Sequence, residues 1–393
     1  MNKKNIYLFY AIALFQGMVF YGPIATLYRQ SRGVGIFQIT LIESISLALC
    51  LALEIPWGFV ADKIGYKKTI LICNLLYFVS KIVFWKANGF AMFLVERLML
   101  SVVMSGLSGC DSAFLYVSAG KEDAPRVFGI YSAMGTAGLL AASAVFSLFL
   151  HGNYALSALL TIFSYGISFV LTLFSTEVEN NVENSKNFYQ QMKELLSVLK
   201  SGRQFLLFLI AAALLTECNQ TITTFLNQLQ YVRGGIKPEL MGYIYILVTV
   251  TGLFAARSHK LVEKMGENRV SKAVFLTGGA ACLMMVFFAN PILSVACMVL
   301  LRISSAVFVP IQMNVQNRKI TTANRATMLS IYSIVMDLVA VGTNLVFGKA
   351  ADSGVNLAML LGAGFCFAAL ALYCTWQRKG GKESAIRTAS QSD

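Results

Sequence analysis

Charge is scarce in this sequence. Of 393 residues only 13% are Asp, Glu, Lys or Arg and 57% are apolar, where an average soluble protein has about 25% and about 45–50%. That balance excludes an ordinary water-facing surface. Histidine occurs only twice, and none of the eight cysteines (50, 73, 110, 218, 282, 297, 366 and 374) stands in C-x-x-C spacing. A disulfide framework and a zinc site are therefore not expected, and the cysteines read as small apolar filler within helices. No G-x-x-x-x-G-K-[ST] loop occurs, so nucleotide-driven work within this chain is not expected. No metal and no cofactor is anticipated. Segments of about ten residues with strict apolar–polar alternation are missing as well, which argues against a β-barrel.

What is present is apolar length. A helix crosses the hydrocarbon core with about 20 mostly apolar residues. Twelve stretches qualify: roughly 6–28, 38–60, 69–86, 90–118, 126–150, 154–175, 204–232, 239–258, 272–289, 292–316, 327–349 and 356–376. Backbone groups in lipid must be paired internally, which leaves helices. An all-α membrane protein with 12 transmembrane helices is expected. Residues 6–28 are too long for a signal h-region and carry no A-x-A site, so they read as a retained first helix.

A net charge of +13 would suit a nucleic-acid partner, but its distribution argues otherwise. Twelve spans make the loops alternate sides. The set formed by the N-terminus, 61–68, 119–126, 176–203, 259–271 (with Arg257 and Lys272 at its borders), 317–326 and the tail holds 23 Lys and Arg. The opposite set holds six: Arg29, Arg32, Lys86, Arg233, Lys237 and Lys349. The positive-inside rule then places both termini in the cytoplasm of a bacterial-type plasma membrane. The surplus charge orients the chain in the bilayer, and no nucleic acid is expected.

The only long polar insert is 176–203. Its second part sets Phe188, Met192, Leu195, Leu196 and Leu199 at helical spacing with lysines opposite, which reads as an amphipathic helix on the membrane face. It divides the chain into an N-terminal six-helix bundle over 1–175, this linker, a C-terminal bundle over 204–376 and a tail over 377–393. The halves repeat. GFVADKIGYKK at 58–68 aligns with HKLVEKMGENR at 259–269 at an offset of 201, and the same offset pairs Tyr131-Ser132 with Tyr332-Ser333 and Val145-Phe146 with Val346-Phe347. Three matches at one offset indicate duplication into two pseudo-symmetric halves, an arrangement known among transporters.

The 58–68 stretch has the form G-x-x-x-D-[RK]-x-G-x-[RK]-[RK]: Gly58, Asp62, Lys63, Gly65, Lys67 and Lys68. It resembles the signature loop between the second and third helices of the major facilitator superfamily, with Tyr66 where the family often has a basic residue. The weaker copy at 259–269, the twelve spans and the central insert extend the resemblance over the whole chain. It implies a latch role for Asp62, holding the halves together in one state, and Arg126 is a local candidate partner. Gly58 and Gly65 suit a tight turn, and Pro56 is expected to bend the second helix near its end. Lys63, Lys67 and Lys68 are equally explained as membrane anchors.

A charge at the bilayer centre costs about 2.5–3.5 kcal/mol on insertion scales. Six acids nevertheless lie inside the spans (Glu43, Glu54, Glu96, Asp111, Glu217 and Asp337), with Lys81, Arg97 and Arg302. Arg97 lies on the fourth helix, where drug–proton antiporters of the superfamily carry L-x-x-x-R-x-x-Q-G. Here Leu100 and Ser101 stand in the Gln and Gly places, so Arg97 either meets substrate charge or forms a structural ion pair. Glu43 and Glu54 share one helical face, and Asp111 pairs with Lys81 or a hydroxyl. The seventh helix carries Glu217, Gln220, Thr221, Thr224 and Gln228 as one polar stripe, with Asn219 beside it. These, with Arg97, Glu96, Arg302 and Gln312, form the expected substrate cavity. Glu217, Glu54, Glu43, Asp111 and Asp337 are the proton-coupling candidates.

The fifth helix reads AMGTAGLLAA where drug antiporters carry G-x-x-x-G-P-x-x-G-G, a departure that weakens the antiporter resemblance. The expected activity is proton-coupled efflux of a small amphipathic molecule by a monomeric secondary transporter, not an enzyme. Proton-coupled uptake of a sugar, organic acid or other metabolite is the alternative. A non-transporting sensor or scaffold is a remote one, against which six costly acids speak.

Overall fold

A computed structural model describes residues 2–120, 122–150, 152–178, 203–252, 258–320 and 325–389, without the side chains of residues 55, 58, 59, 61, 62, 203, 325–327 and 380–389. The expected surface helix in the central insert falls on 179–202, outside the described residues, as does the side chain of Asp62.

The described residues form helices joined by turns and short connections, with no strand among them. In chain order the helices are α1 (Lys3–Gly17), α2 (Ala25–Ser31), α3 (Ile36–Ile64), α4 (Tyr66–Lys86), α5 (Gly89–Leu107), α6 (Cys110–Ala119), α7 (Ala124–Val145) and α8 (Tyr154–Leu173). They continue with α9 (Arg203–Gln220), α10 (Asn227–Arg233), α11 (Met241–Thr251), α12 (Ser258–Met265), α13 (Glu267–Phe287), α14 (Pro291–Lys319), α15 (Arg325–Ser353) and α16 (Val355–Ala389). Among the described residues, 11 candidate spans are long and apolar enough to cross a membrane, and a shorter apolar stretch covers Pro238–Thr251. Eleven of the twelve expected spans thus have a counterpart, and the shorter stretch falls where the twelfth, 239–258, is expected. Large apolar side chains point outward, among them Ile292 (81% exposed) and Phe287 (74%), as a lipid-facing wall requires.

Several spans are jointed. The first breaks after Gly17 and resumes through a 3₁₀ turn at Gly22–Ile24 into α2. The fourth breaks at Ser108–Gly109, where Gly109 has φ 83°. Pro56 and Gly58 both lie inside α3, which runs on to Ile64, so of the two glycines expected at a tight turn only Gly65 stands at one.

The two halves share more than sequence. Gly65 and Gly266, one repeat apart, each cap the next helix with left-handed backbone (φ 89°, ψ 156° and φ 82°, ψ 144°). Such backbone favours glycine. The helices they start, α4 and α13, are both 21 residues long. Gly109, at the break in the fourth span, corresponds by the same offset of 201 to Pro310 inside α14.

Packing divides the chain into two units, Met1–Ser185 with Ile236–Ile246, and Lys186–Gly235 with Leu247–Asp393. In the first unit α1 and α7 cross at glycines: a methyl group on Gly17 would collide with the Gly135 carbonyl, and one on Gly138 with the Leu14 carbonyl. Small residues allow this approach of backbones in lipid. Buried hydroxyls are absorbed by the preceding turn, as in Ser44 to the Thr40 carbonyl (3.0 Å) and Thr172 to the Ser168 carbonyl (2.9 Å).

Candidate functional site

The first unit gathers five charged side chains from four helices. Arg97 of α5 donates from Nη2 to Glu43 Oε2 of α3 at 2.5 Å. Below the pair the seam continues with small polar groups one turn apart. Ser46 meets Ser101 hydroxyl to hydroxyl at 2.7 Å, and Ser105 donates to the Cys50 carbonyl at 3.2 Å. Arg97 therefore forms an ion pair within the unit.

Lys81 of α4 is buried and donates to the Tyr21 hydroxyl at 3.1 Å. Its ammonium lies 4.9 Å from the Tyr77 ring and 4.8 Å from the Tyr165 ring, within the range of cation–π attraction. Tyr165 in turn donates to the Gln16 carbonyl at 2.8 Å, which fixes the ring. Arg29 of α2 is buried and lies 5.5 Å from Phe84 and 5.9 Å from Phe93. Between these cations sits Glu96, fully buried. Among the described residues neither of its carboxylate oxygens has a hydrogen-bond partner, while Lys81, Arg29 and Arg97 all act on it electrostatically. Three cations thus act on Glu96, and one of them, Arg97, also pairs with Glu43.

The remaining first-unit candidates are placed separately. Asp111 of α6 accepts from the Tyr131 hydroxyl at 3.3 Å, the hydroxyl outcome rather than the Lys81 pair. Glu54 is exposed while Glu43 is buried, so their shared face does not hold them in one environment. In the signature loop, the Lys67 backbone N–H donates to Glu177 Oε1 at 3.0 Å, and the Glu177 carboxylate lies against Gly65. Lys63, Lys68 and Arg126 are exposed.

In the second unit the seventh span is not one helix. A π-helical turn at Thr221–Leu226 separates α9 from α10. A turn closed at i+5 takes an extra residue and rotates the next helical segment by about 100°. The stripe expected at even helical spacing does not stay in line: Gln220 is exposed, Glu217 and Thr224 are half-buried, and Gln228 is buried. Thr221 donates to Asn344 Oδ1 of α15 at 2.8 Å. Glu217 and Asp337 of α15 are near enough to act on each other electrostatically. The Gln312 amide reaches Met336 Sδ at 3.3 Å. The Asn219 and Gln312 carbonyl oxygens are buried without a hydrogen-bond partner among the described residues. Arg302 lies against Gly252.

Sequence reasoning missed Arg29, Tyr21, Tyr77 and Tyr165. Arg29 reads as a loop residue next to Arg32, and the tyrosines lie in apolar helices without a local signal. It also missed that Cys218, Cys282 and Cys366, distant in sequence, have their sulfurs within 4.8 Å of one another.

Buried charges inside the spans of a helical membrane protein mark a candidate ion or substrate pathway. The Major Facilitator Superfamily profile matches residues 6–343, and the chain belongs to that superfamily. No curated protein sequence matches it. Among solved structures it is similar to the nucleoside transporter NupG, with TM-score 0.79, 16% identity and coverage of 95% of this chain and 99% of that one. It is similar also to a bacterial homologue of the human lysosomal transporter Spinster, inward-facing and unoccupied (0.76, 16%, 96% and 98%). A POT family transporter in complex with 5-aminolevulinic acid is a third (0.71, 15%, 94% and 94%). At such identities the likeness is one of fold. The chain is a multi-pass membrane transporter, not an enzyme.

Proposed function

We propose that this transporter is proton-coupled, with Glu217 and Asp337 as the proton-carrying pair and a small amphipathic molecule as substrate. The observation that supports this is the placement of two acids on separate helices, α9 and α15, where each feels the other's charge. Two like charges in an apolar interior repel, and one proton relieves both the repulsion and part of the desolvation cost. Such a pair titrates as a unit. Proton uptake then changes the relative stability of two conformations, the requirement for alternating access. The pair is adjacent to Thr221–Asn344, which ties the same two helices beside the π turn. A monomer in a bacterial-type plasma membrane, with both termini cytoplasmic, completes the reading.

The preferred direction is efflux. Uptake is the second reading, and one observation favours it: Gly135 serves the crossing with α1 in a fifth span that lacks the export pattern's proline. Everted vesicles with a panel of amphipathic compounds, nucleosides, sugars and organic acids separate the two. Efflux predicts substrate-driven proton release from acid-loaded everted vesicles, abolished in Glu217→Gln. Uptake predicts accumulation in right-side-out vesicles only. Transport unchanged by Glu217→Gln and Asp337→Asn refutes the proton-carrying pair.

A further inference from the structure

We infer that Cys218, Cys282 and Cys366 form an internal site for one soft monovalent cation, Cu(I) by chemical class, with Ag(I) as its analogue. The three residues come from α9, α13 and α16, and each is fully buried. Cys218 Sγ lies 3.9 Å from Cys282 Sγ and 3.6 Å from Cys366 Sγ, and all three sulfurs lie within 4.8 Å of one another. In a triangle of those sides, the point equidistant from the sulfurs is about 2.2–2.4 Å from each, while a metal–thiolate bond such as Zn–S is about 2.3 Å. The sulfurs are spaced as ligands around one ion, without having to move.

The surroundings narrow the ion. The group contains no histidine or carboxylate. An all-sulfur set selects soft ions and rejects magnesium and calcium. Zinc normally takes four ligands in structural sites, and among the described residues no fourth cysteine, histidine or carboxylate joins the group, while the Gly362 carbonyl accepts from Cys218 Sγ at 3.4 Å. Gly362 lies against Cys218 and Cys282, Gly278 lies against Cys366, and Leu215 and Leu301 close the side. A methyl group on Gly362 would stand 3.3 Å from two of the sulfurs, so the glycines keep space beside them.

Ligation fixes the stoichiometry of protons. A sulfur that binds a metal does so as the thiolate, and binding releases its proton. The balance is M⁺ plus three thiols giving the three-coordinate thiolate complex plus three H⁺, with no change of oxidation state. An occupied site joins α9 to α13 and α16 beside Glu217, the next residue to Cys218. Metal occupancy is thereby a means of holding the seventh span.

The test uses full-length protein in which Cys50, Cys73, Cys110, Cys297 and Cys374 are alanine and the three-cysteine group is intact. Copper is supplied during growth in one preparation. In another, Cu(I) or Ag(I) is added anaerobically from a chelator buffer. Expected are one ion per chain after desalting and three protons released per ion added. X-ray absorption should show sulfur-only, three-coordinate ligation. Changing Cys218, Cys282 or Cys366 to Ala should reduce bound metal to below about a tenth per chain. Retention of fewer than about one ion in five chains by both loading routes overturns the proposal, as does stoichiometric metal that survives Cys282→Ala. Because the group itself is intact in the first protein, misfolding of a single variant does not decide the matter.

Discussion

Replacing Arg97 by Met should destabilise the protein far more than replacing its partner Glu43 by Gln. In the folded protein Arg97 is held 2.5 Å from Glu43, with side chains 30% and 10% exposed, and it also acts on the fully buried Glu96. Removing the guanidinium strands Glu43 and takes from Glu96 one of the three cations that act on it. Breaking a buried pair by deleting one partner costs about 3–5 kcal/mol. The partial exposure of Arg97 puts this case at the lower end, about 3 kcal/mol. In Glu43→Gln the arginine keeps Glu96 and some water, so the cost should be about 1–2 kcal/mol, between an exposed and a buried pair. The double variant should be more stable than Arg97→Met alone, because the stranded Glu43 charge is gone, with a coupling of at least about 1 kcal/mol. At about 2–4 °C per kcal/mol for a unit of 150–250 residues, Arg97→Met should lower the melting temperature by about 6–12 °C. Six of the eight cysteines are buried, so a thiol-reactive dye reports the melting in detergent or nanodiscs. An Arg97→Met protein that melts no lower than Glu43→Gln would refute this ranking, as would two losses that simply add in the double variant.

The packing sets further outcomes. Gly138→Ala should cost about 1–3 kcal/mol through overpacking, since its methyl meets the Leu14 backbone, whereas Gly364→Ala, with open space around it, should be neutral or slightly stabilising; both are read from melting curves. Thr221→Val leaves Asn344 Oδ1, in a buried residue, without its 2.8 Å donor and should cost about 1–3 kcal/mol, while Thr221→Ser should cost less than about 1. The Arg318–Glu267 pair is short but its arginine side chain is 58% exposed, so Glu267→Gln should change stability by less than about 1 kcal/mol.

The fold is legible because it depends on long apolar runs and on one repeat offset, both local or one-dimensional signals. The same offset predicts where Gly266 caps its helix from where Gly65 does. The site is legible only where charge intrudes into a span: Arg97, Glu43, Glu96, Glu217 and Asp337 are visible as expensive residues. Their partners are not. The cradle of Lys81 is built from tyrosines that look like ordinary membrane packing, and Arg29 resembles a loop charge. The polar stripe of the seventh span assumes constant helical spacing, and a π turn has no composition signal that would reveal the change of register. Cys218, Cys282 and Cys366 meet through tertiary packing across three helices, a distance that spacing rules do not span.

The central claim is coupling of transport to protons through Glu217 and Asp337. Purified protein in liposomes carrying an internal pH dye, supplied with a compound that the vesicle panel identifies as substrate, tests it directly. Coupling through this pair predicts that substrate movement shifts the internal pH, and that Glu217→Gln abolishes the shift while leaving substrate exchange at zero gradient. Substrate flux that continues unchanged in the presence of a protonophore, with no pH signal from the unaltered protein, would contradict it.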